Sequence, residues 1–447
     1  MDLILDAARR AGEYLAAVDL DTAPTRAALD ALATFDPVLP TGPRPPADVL
    51  AELDTIGSPA TMRTTGGRYF GFVNGGTEPA GLAASILNAA WDQNVALPIM
   101  SPAAAHLDAI AARWTVELLG LPATATATFC GGASIANLTC VLAARDALLA
   151  RAGWSVDEHG LGGAPALRVV TSAEIHVSVW KALRAAGIGR SQVEIVPTDS
   201  SGRLITAAVP VMDERTILVV QAGNVNTGHS DPFRDVIPAA SAAGAWIHVD
   251  GAFGLWSAAD PARAHLVDGV DLADSWATDA HKGLNAPYDS GVAIVARDGD
   301  LRRAMAVDAA YLQAGPDRTL MQLGLQMSQR ARGVETWAII RALGRSGLAD
   351  AIDRTCNRCA QLVETLQENG VEILAPVVIN QALAAFGDDA TTDRVINAVQ
   401  ADGTCWAGGT TWQGRRAMRL SVSSTTTTPA DIDVAAAAIL EAWRSTN

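Results

Sequence analysis

The chain has 447 residues, 49% of them hydrophobic, and a formal net charge of −15 at pH 7. That length and apolar content can bury a large core, with two or three domains as a soft expectation. So acidic a chain suits neither a nucleic-acid backbone nor an anionic membrane surface, and neither is expected as a partner.

Residues 1 to about 60 read as an N-terminal helical arm. LDAARRAGEYLAAV and TRAALDALATF carry helical spacing, and the Pro-rich PVLPTGPRPP links them to a third helix, ADVLAELDTIG. Such a segment has little core of its own and is expected to lie on the main body or on a second subunit. The opening MDLILDAARR is acidic where a secretory signal would be basic. Next, GGRYFGFVNGGTEP mixes glycines with Arg68, Tyr69, Phe70 and Phe72. This is either a functional loop or an aromatic cluster beneath one, and WDQN at Trp91 to Asn94 is open in the same way. AAAHLDAIAARWTVELLGLP follows as an amphipathic helix with Leu107, Ile110, Ala111, Trp114 and Leu118 on one face. Gly120 and Pro122 end it, and His106 reads as a surface residue.

TATATFCGGASIANLTCVLAAR runs from a strand through Gly131-Gly132-Ala133-Ser134 into a helix. Glycines that admit a close approach, a helix N-terminus with unused N–H groups and the Ser134 hydroxyl make a phosphate cradle; the alternative is a tight turn. The segment is neither a P-loop nor a dinucleotide fingerprint. From 167 on, LRVVT, VEIVP, TILVVQ, AWIHV and GVAIVA read as short buried strands alternating with helices, the pattern of a mostly parallel sheet covered on both faces. His176 opens the helix after LRVVT, and Lys181 lies on it as a solvated residue. Asn224, Asn226 and Thr227 follow TILVVQ. Asp250 ends AWIHVD. All of these belong at the carboxyl edge of the sheet, where open α/β sheets bind ligands.

After about 300 a long helix begins at QRARGVETWAIIRALGRSG, with Arg330 and Arg332 at its entrance. VEILAP, NQALAAF and MRLSVS then read as strands separated by helices, so residues 311–447 are expected to form a small C-terminal α+β domain beside a large domain at 61–310. Arg419 lies in MRLSVS, as an edge residue or a carboxylate-binding one. Cys356 and Cys359 form CNRC within a helical pattern, with no second pair at zinc spacing. They read as packing residues, and no metal site is expected. Five scattered cysteines fit a reducing compartment, so a cytoplasmic location is expected. No uninterrupted apolar run approaches the roughly 18 residues of a membrane span.

The chain has two lysines, Lys181 and Lys282, among basic residues that are otherwise arginine. A Schiff base needs an amine, which a guanidinium cannot supply. Lys282 is therefore read as the residue that holds pyridoxal phosphate (PLP), and Asp250 as the carboxylate that keeps the pyridine nitrogen protonated.

With CGGASIANL, SAEIHVSVWKALRAAGIG, GNVNTGHSDPF, IHVDGAFG, DAHKGLNAPYDSG and RARGVETW in this order, the chain closely resembles the group II PLP-dependent decarboxylases, the family of aromatic-amino-acid and glutamate decarboxylases. The likeness runs from RYFGF to MRLSVS. It implies the aspartate-aminotransferase-type α/β fold (fold type I) and a homodimer with active sites at the subunit interface. By position, His176 corresponds to the residue stacked on the cofactor ring and Ala252 to the one on its other face. Ala133, Ser134 and His281 correspond to phosphate contacts, and Thr227 to a threonine near the cofactor's 3-oxygen. Asp279 stands where many members have Asn. Catalysis is carried by Lys282, His176 and Asp250. Tyr69, Phe70 and Phe72 are candidates for the substrate pocket, and Arg419 for a substrate carboxylate. The implied reaction is decarboxylation of an L-amino acid to an amine. The alternatives are another carbon–carbon lyase or an aminotransferase on the same fold, or a PLP-binding paralogue without turnover. One departure bears on this choice. The family's mobile loop carries a tyrosine that helps return a proton to the substrate carbon, and LQAGPDRTLMQLGLQMSQ after Tyr311 has none. His176 or Lys282 is then the donor, or the outcome differs.

Overall fold

Five-residue runs rich in Val, Ile, Thr and Trp, each closed by a turn or a helix, build the main sheet. The computed structural model describes residues 2–18, 21–307 and 318–446. The strands are β1 (Thr126–Cys130), β2 (Arg168–Ser172), β3 (Val193–Val196), β4 (Thr216–Gln221), β5 (Trp246–Asp250), β6 (Ser275–Asp279) and β7 (Gly291–Val295). Their spatial order is β1-β7-β6-β5-β4-β2-β3. The pairs β2–β3, β2–β4, β4–β5 and β5–β6 are parallel, and β7 runs antiparallel to both β1 and β6. The sheet is thus mostly parallel as expected, and GVAIVA is its one reversed strand. Its reversal brings Gly291 level with Asp279 and Cys130, at the edge where the parallel strands end.

The helix Ala133–Arg151 covers the middle of the sheet. Small side chains such as Ala136, Ala143 and Ala144 let it lie close, and they share one core with Val169, Ile217, Trp246 and Ala277. By length and composition this helix is apolar enough to cross a membrane, but 67% of it is buried inside the molecule, as in a core helix. The helix Pro102–Leu118 differs from its expected face. Its buried stripe is Ala104, Ala105, Asp108, Ala111, Ala112, Thr115, Val116 and Leu118, so Ala111 and Leu118 are buried as expected while Leu107, Ile110 and Trp114 are only half-buried. Close packing selected the small residues. The helix Gly333–Glu368 is broken at Gly344, whose φ of 62° is left-handed.

The chain divides into two compact units: Thr77–Asn357 with Ala375–Gln381, and Met1–Gly76 with Arg358–Leu374 and Ala382–Asn447. This corrects the expected boundaries of 1–60, 61–310 and 311–447. The N-terminal segment is not an arm by itself, because its backbone is tied to the C-terminal region. Thr22 N donates to Gly403 O at 2.9 Å, and Phe70 N to Trp406 O at 2.8 Å. Residues 318–357, expected in the C-terminal domain, belong to the sheet unit. The second unit has its own sheet of β8 (Glu372–Ile373), β9 (Gln381–Ala385), β10 (Gly408–Trp412) and β11 (Arg415–Ser421), in the order β10-β11-β9-β8. The helices Asp389–Asp402 and Pro429–Thr446 complete it.

Candidate active site

Strand geometry sets the site. Side chains alternate across a sheet, and Asp250 lies level with Ala277 and His248 with Ser275. Trp246, His248 and Asp250 therefore share one face with Ser275, Ala277 and Asp279, the face covered by the helix Ala133–Arg151. One helical turn after β6, Ala280–Gly283, carries Lys282 back over the edge. Its Nζ stands 3.1 Å from Asp279 Oδ2, with both side chains largely buried.

Asp250 is 5% exposed, and its Oδ1 has no hydrogen-bond partner among the described residues. Burial pushes its acid up. His176 when protonated, then the charge of Lys282 and the amide of Asn137, pull it back, in that order of size. A buried carboxylate oxygen without a partner costs about 1–3 kcal/mol or more. A ring nitrogen carrying a proton would relieve that cost, and this is the sense in which the residues present fit a pyridinium. His176 caps the helix Val177–Ala185. Its Nδ1 lies 2.7 Å from Ser178 Oγ and accepts the Ser178 N–H at 3.2 Å, so the ring is held at both points.

The phosphate-sized end of the site is built from glycine and a helix start. Gly132 has a φ of 112°. A Cβ on Gly131 would meet Asp289 Oδ2 at 2.9 Å, and one on Gly291 would meet the Gly132 backbone at 2.4 Å. Side chains are thus excluded where the loop turns. The first-turn N–H groups of Ala133 and Ser134 have no acceptor within their own helix, and the helix dipole favours an anion there. Ser134 is exposed and Ala133 buried. His281 is held by Ser290, whose carbonyl O is 2.9 Å from Nδ1, and its ring packs on Tyr288 at 4.2 Å between centroids. Burial pushes His281 below the usual histidine range. Arg332 is 8% exposed and binds Asp289 Oδ1 through Nε at 3.0 Å, beside Gly131. Two carboxylates here do not suit an anion: Asp289, which Arg332 neutralises, and Asp279. The Asp279 carboxylate serves Lys282 and lies 3.5 Å from His281 Nε2 instead.

The expected residues divide by unit. Lys282, Asp250, His176, Ala133, Ser134, Ala252, Thr227 and His281 all belong to the sheet unit, at or just beyond strand ends. Thr227 is turned elsewhere than expected: its hydroxyl donates to Ser201 O at 2.7 Å, leaving only acceptor capacity. Lys181 and His106 are exposed, as expected. Tyr69, Phe70, Phe72 and Arg419 belong to the other unit. There Tyr69 stacks on Trp406 at 5.1 Å and Phe72 at 5.3 Å, while Phe70 is wholly buried. Phe70 is therefore a packing residue, which corrects its place among the substrate contacts. Tyr311 and residues 312–317 of the loop without a tyrosine lie outside the described residues. The sequence reading missed Asn137, Ser178 and His248. Counting back by two from Asp250 finds His248 on the same face, and one turn on from Ser134 finds Asn137.

A family model described as the pyridoxal-dependent decarboxylase conserved domain matches residues 30–385. An aromatic-L-amino-acid decarboxylase of Bacillus atrophaeus is 24% identical over 64% of this chain and 60% of its own length. An aspartate 1-decarboxylase of Aliivibrio fischeri is 28% identical over 54% of this chain and 47% of its own. With tryptophan decarboxylase 1 of Oryza sativa the match is 25% identical over 85% of this chain and 81% of that protein. In three dimensions, the crystal structure of Oryza sativa TDC with PLP and tryptamine superposes with a TM-score of 0.91 at 20% identity, covering 99% of this chain and 97% of that one.

Proposed function

This chain belongs to the pyridoxal-dependent decarboxylase family, and we propose that it is a PLP-dependent carboxy-lyase that converts an L-amino acid to the amine and carbon dioxide. The bound cofactor supplies an electron sink for the bond that breaks at the α-carbon. The protein supplies the rest. Lys282 is the amine that would hold the cofactor's aldehyde carbon. Asp279 Oδ2, at 3.1 Å from the Lys282 Nζ, holds that amine in place. Asp250 keeps the ring nitrogen protonated by offering a buried acceptor. The helix start at Ala133 and Ser134, with His281, would hold the phosphate, and the ring of His176 would pack on the cofactor. The observation that carries this reading is the unpartnered Oδ1 of Asp250 on the face that also presents Lys282.

The substrate class is aromatic or acidic, since the similar proteins include one named for aromatic amino acids and one for aspartate. The chain works as a homodimer. Val177, next to His176, is 70% exposed and Tyr288, on His281, is 57% exposed, an apolar border that a second copy would cover. Its location is the cytoplasm, in keeping with five cysteines that are all buried. The deciding experiment is a visible spectrum of the purified protein before and after borohydride, with the reduced adduct mapped to a peptide. Carbon dioxide and product mass are then measured over a panel of aromatic and acidic L-amino acids. A band fixed to Lys282 and amine formation are expected. No carbon dioxide, together with keto-acid-dependent amine exchange, would make the protein an aminotransferase. Sedimentation reads the dimer.

A further inference from the structure

A polar spine runs through the apolar layer between the helix Ala133–Arg151 and the sheet. Trp246 Nε1 donates to Ser275 Oγ at 2.9 Å, Ser275 Oγ lies 3.0 Å from His248 Nδ1, and His248 Nε2 lies 2.9 Å from Asn137 Oδ1. Asn137 Nδ2 donates to Ser178 Oγ at 3.2 Å, and Ser178 Oγ lies 2.7 Å from His176 Nδ1. Trp246, Ser275, His248, Asn137 and Ser178 are all buried, so no water competes for these groups.

The donors and acceptors along the spine order its protons. An indole only donates, so Ser275 Oγ accepts from Trp246 and turns its own hydrogen to His248 Nδ1. His248 is kept neutral by burial, which pushes it down to about 4. Its single ring proton is then on Nε2 and goes to Asn137 Oδ1. This leaves the Asn137 NH2 for Ser178 and for the side of Asp250. An ionised carboxylate only accepts, and a flipped amide would set an oxygen against it. Ser178 Oγ receives that N–H and passes its own hydrogen to His176 Nδ1, which also takes the Ser178 backbone N–H.

We propose that Asn137 is a positioning residue: locked by His248, its amide holds His176 in the tautomer with the proton on Nε2, a hydrogen-bond donor at the cofactor edge, and steadies Asp250 from behind. The use of that donor, to meet an acceptor such as a substrate carboxylate, rests on the decarboxylase reading. The proton placement itself does not.

The test is nitrogen-15 NMR of cofactor-free protein labelled at histidine, recorded above the ordinary histidine pKa, with His176 assigned from the His176→Asn spectrum. The wild type is expected to show a protonated Nε2 and a bare Nδ1 at His176. Asn137→Leu is expected to give a mixture of tautomers and to weaken PLP binding about tenfold, the loss of one buried hydrogen bond near a charged group. Ser178→Thr, which keeps the hydroxyl, is expected to retain the wild-type tautomer. A protonated Nδ1 in the wild type overturns the proposal without any variant, and so does an Asn137→Leu protein with His176 unchanged. A wild type that shows the expected tautomer yet binds no PLP would refute the proposed function and leave the spine standing.

Discussion

The two compact units are made from the sequence in different ways. The sheet unit draws nearly all its residues from one continuous stretch, Thr77–Asn357, whereas the other is gathered from three. In the first, every strand but the reversed β7 delivers its last residue to one edge, and Asp250, Asp279 and Lys282 arrive there within one strand–loop–strand–turn passage. In the second, the fold is held by contacts between distant positions. The Thr22 hydroxyl donates to Gly403 O across 381 positions, and the Thr427 hydroxyl to Gly67 O across 360. Chemistry is concentrated in the unit that local pattern describes, and long-range closure in the unit that it does not.

The comparison breaks most sharply at Lys282. Lys282→Ala is expected to remove the visible cofactor band and to lower amine formation at least about 10³-fold, since it deletes the covalent anchor. A retained band would move the anchor to Lys181. Phe70→Ala is the counterpart in the other unit. Phe70 is wholly buried, so its loss is expected to cost about 3–5 kcal/mol of unfolding free energy, read by denaturant titration. The third test returns to the sheet unit. Burial holds His248 at about 4 in the folded chain, against about 6.5 unfolded. The unfolded chain therefore binds the extra proton first as pH falls. His248 contributes stability that is complete above about 6.5 and is lost between there and about 4, roughly 3 kcal/mol in all. A His248→Gln protein should lack this component, seen as a shallower fall of stability over the same window.

How much was legible follows the same division. The alternation of strand and helix from 167 onward, the glycine turn before Ala133 and the pairing of Asp250 with Lys282 rest on short-range periodicity. β7 read correctly as a strand, but its reversal depends on how the loop Asn285–Ser290 returns, which no period encodes. β10 (Gly408–Trp412) was missed because its two opening glycines weaken the strand signal, and its pairing with Arg415–Ser421 forms it. The N-terminal helix Asp2–Ala16 was legible as a helix but not as part of the C-terminal unit, since it buries none of its own residues. Asn137 was hidden for a simpler reason: a polar residue in an apolar helix carries no period, and its partners come from two other elements, the helix Val177–Ala185 and β5.

Arg419 gives the finest test, because it lies in the unit where the sequence said least. It stands level with Gly408 in the β10–β11 pair, half-buried, and burial pushes its guanidinium below the usual arginine range. A desolvated guanidinium is costly unless a partner repays it. Arg419→Ala separates a structural partner from a substrate one. If Arg419 holds a substrate carboxylate, KM rises about 10–100-fold with kcat little changed, the size of one charged hydrogen-bonded pair. If it serves the fold, KM stays and the denaturation midpoint falls instead. Running both measurements on the one variant, with an acidic and an aromatic substrate in parallel, also tells which carboxylate is held. A rise confined to the acidic substrate points to its side chain, and a rise for both points to the α-carboxylate.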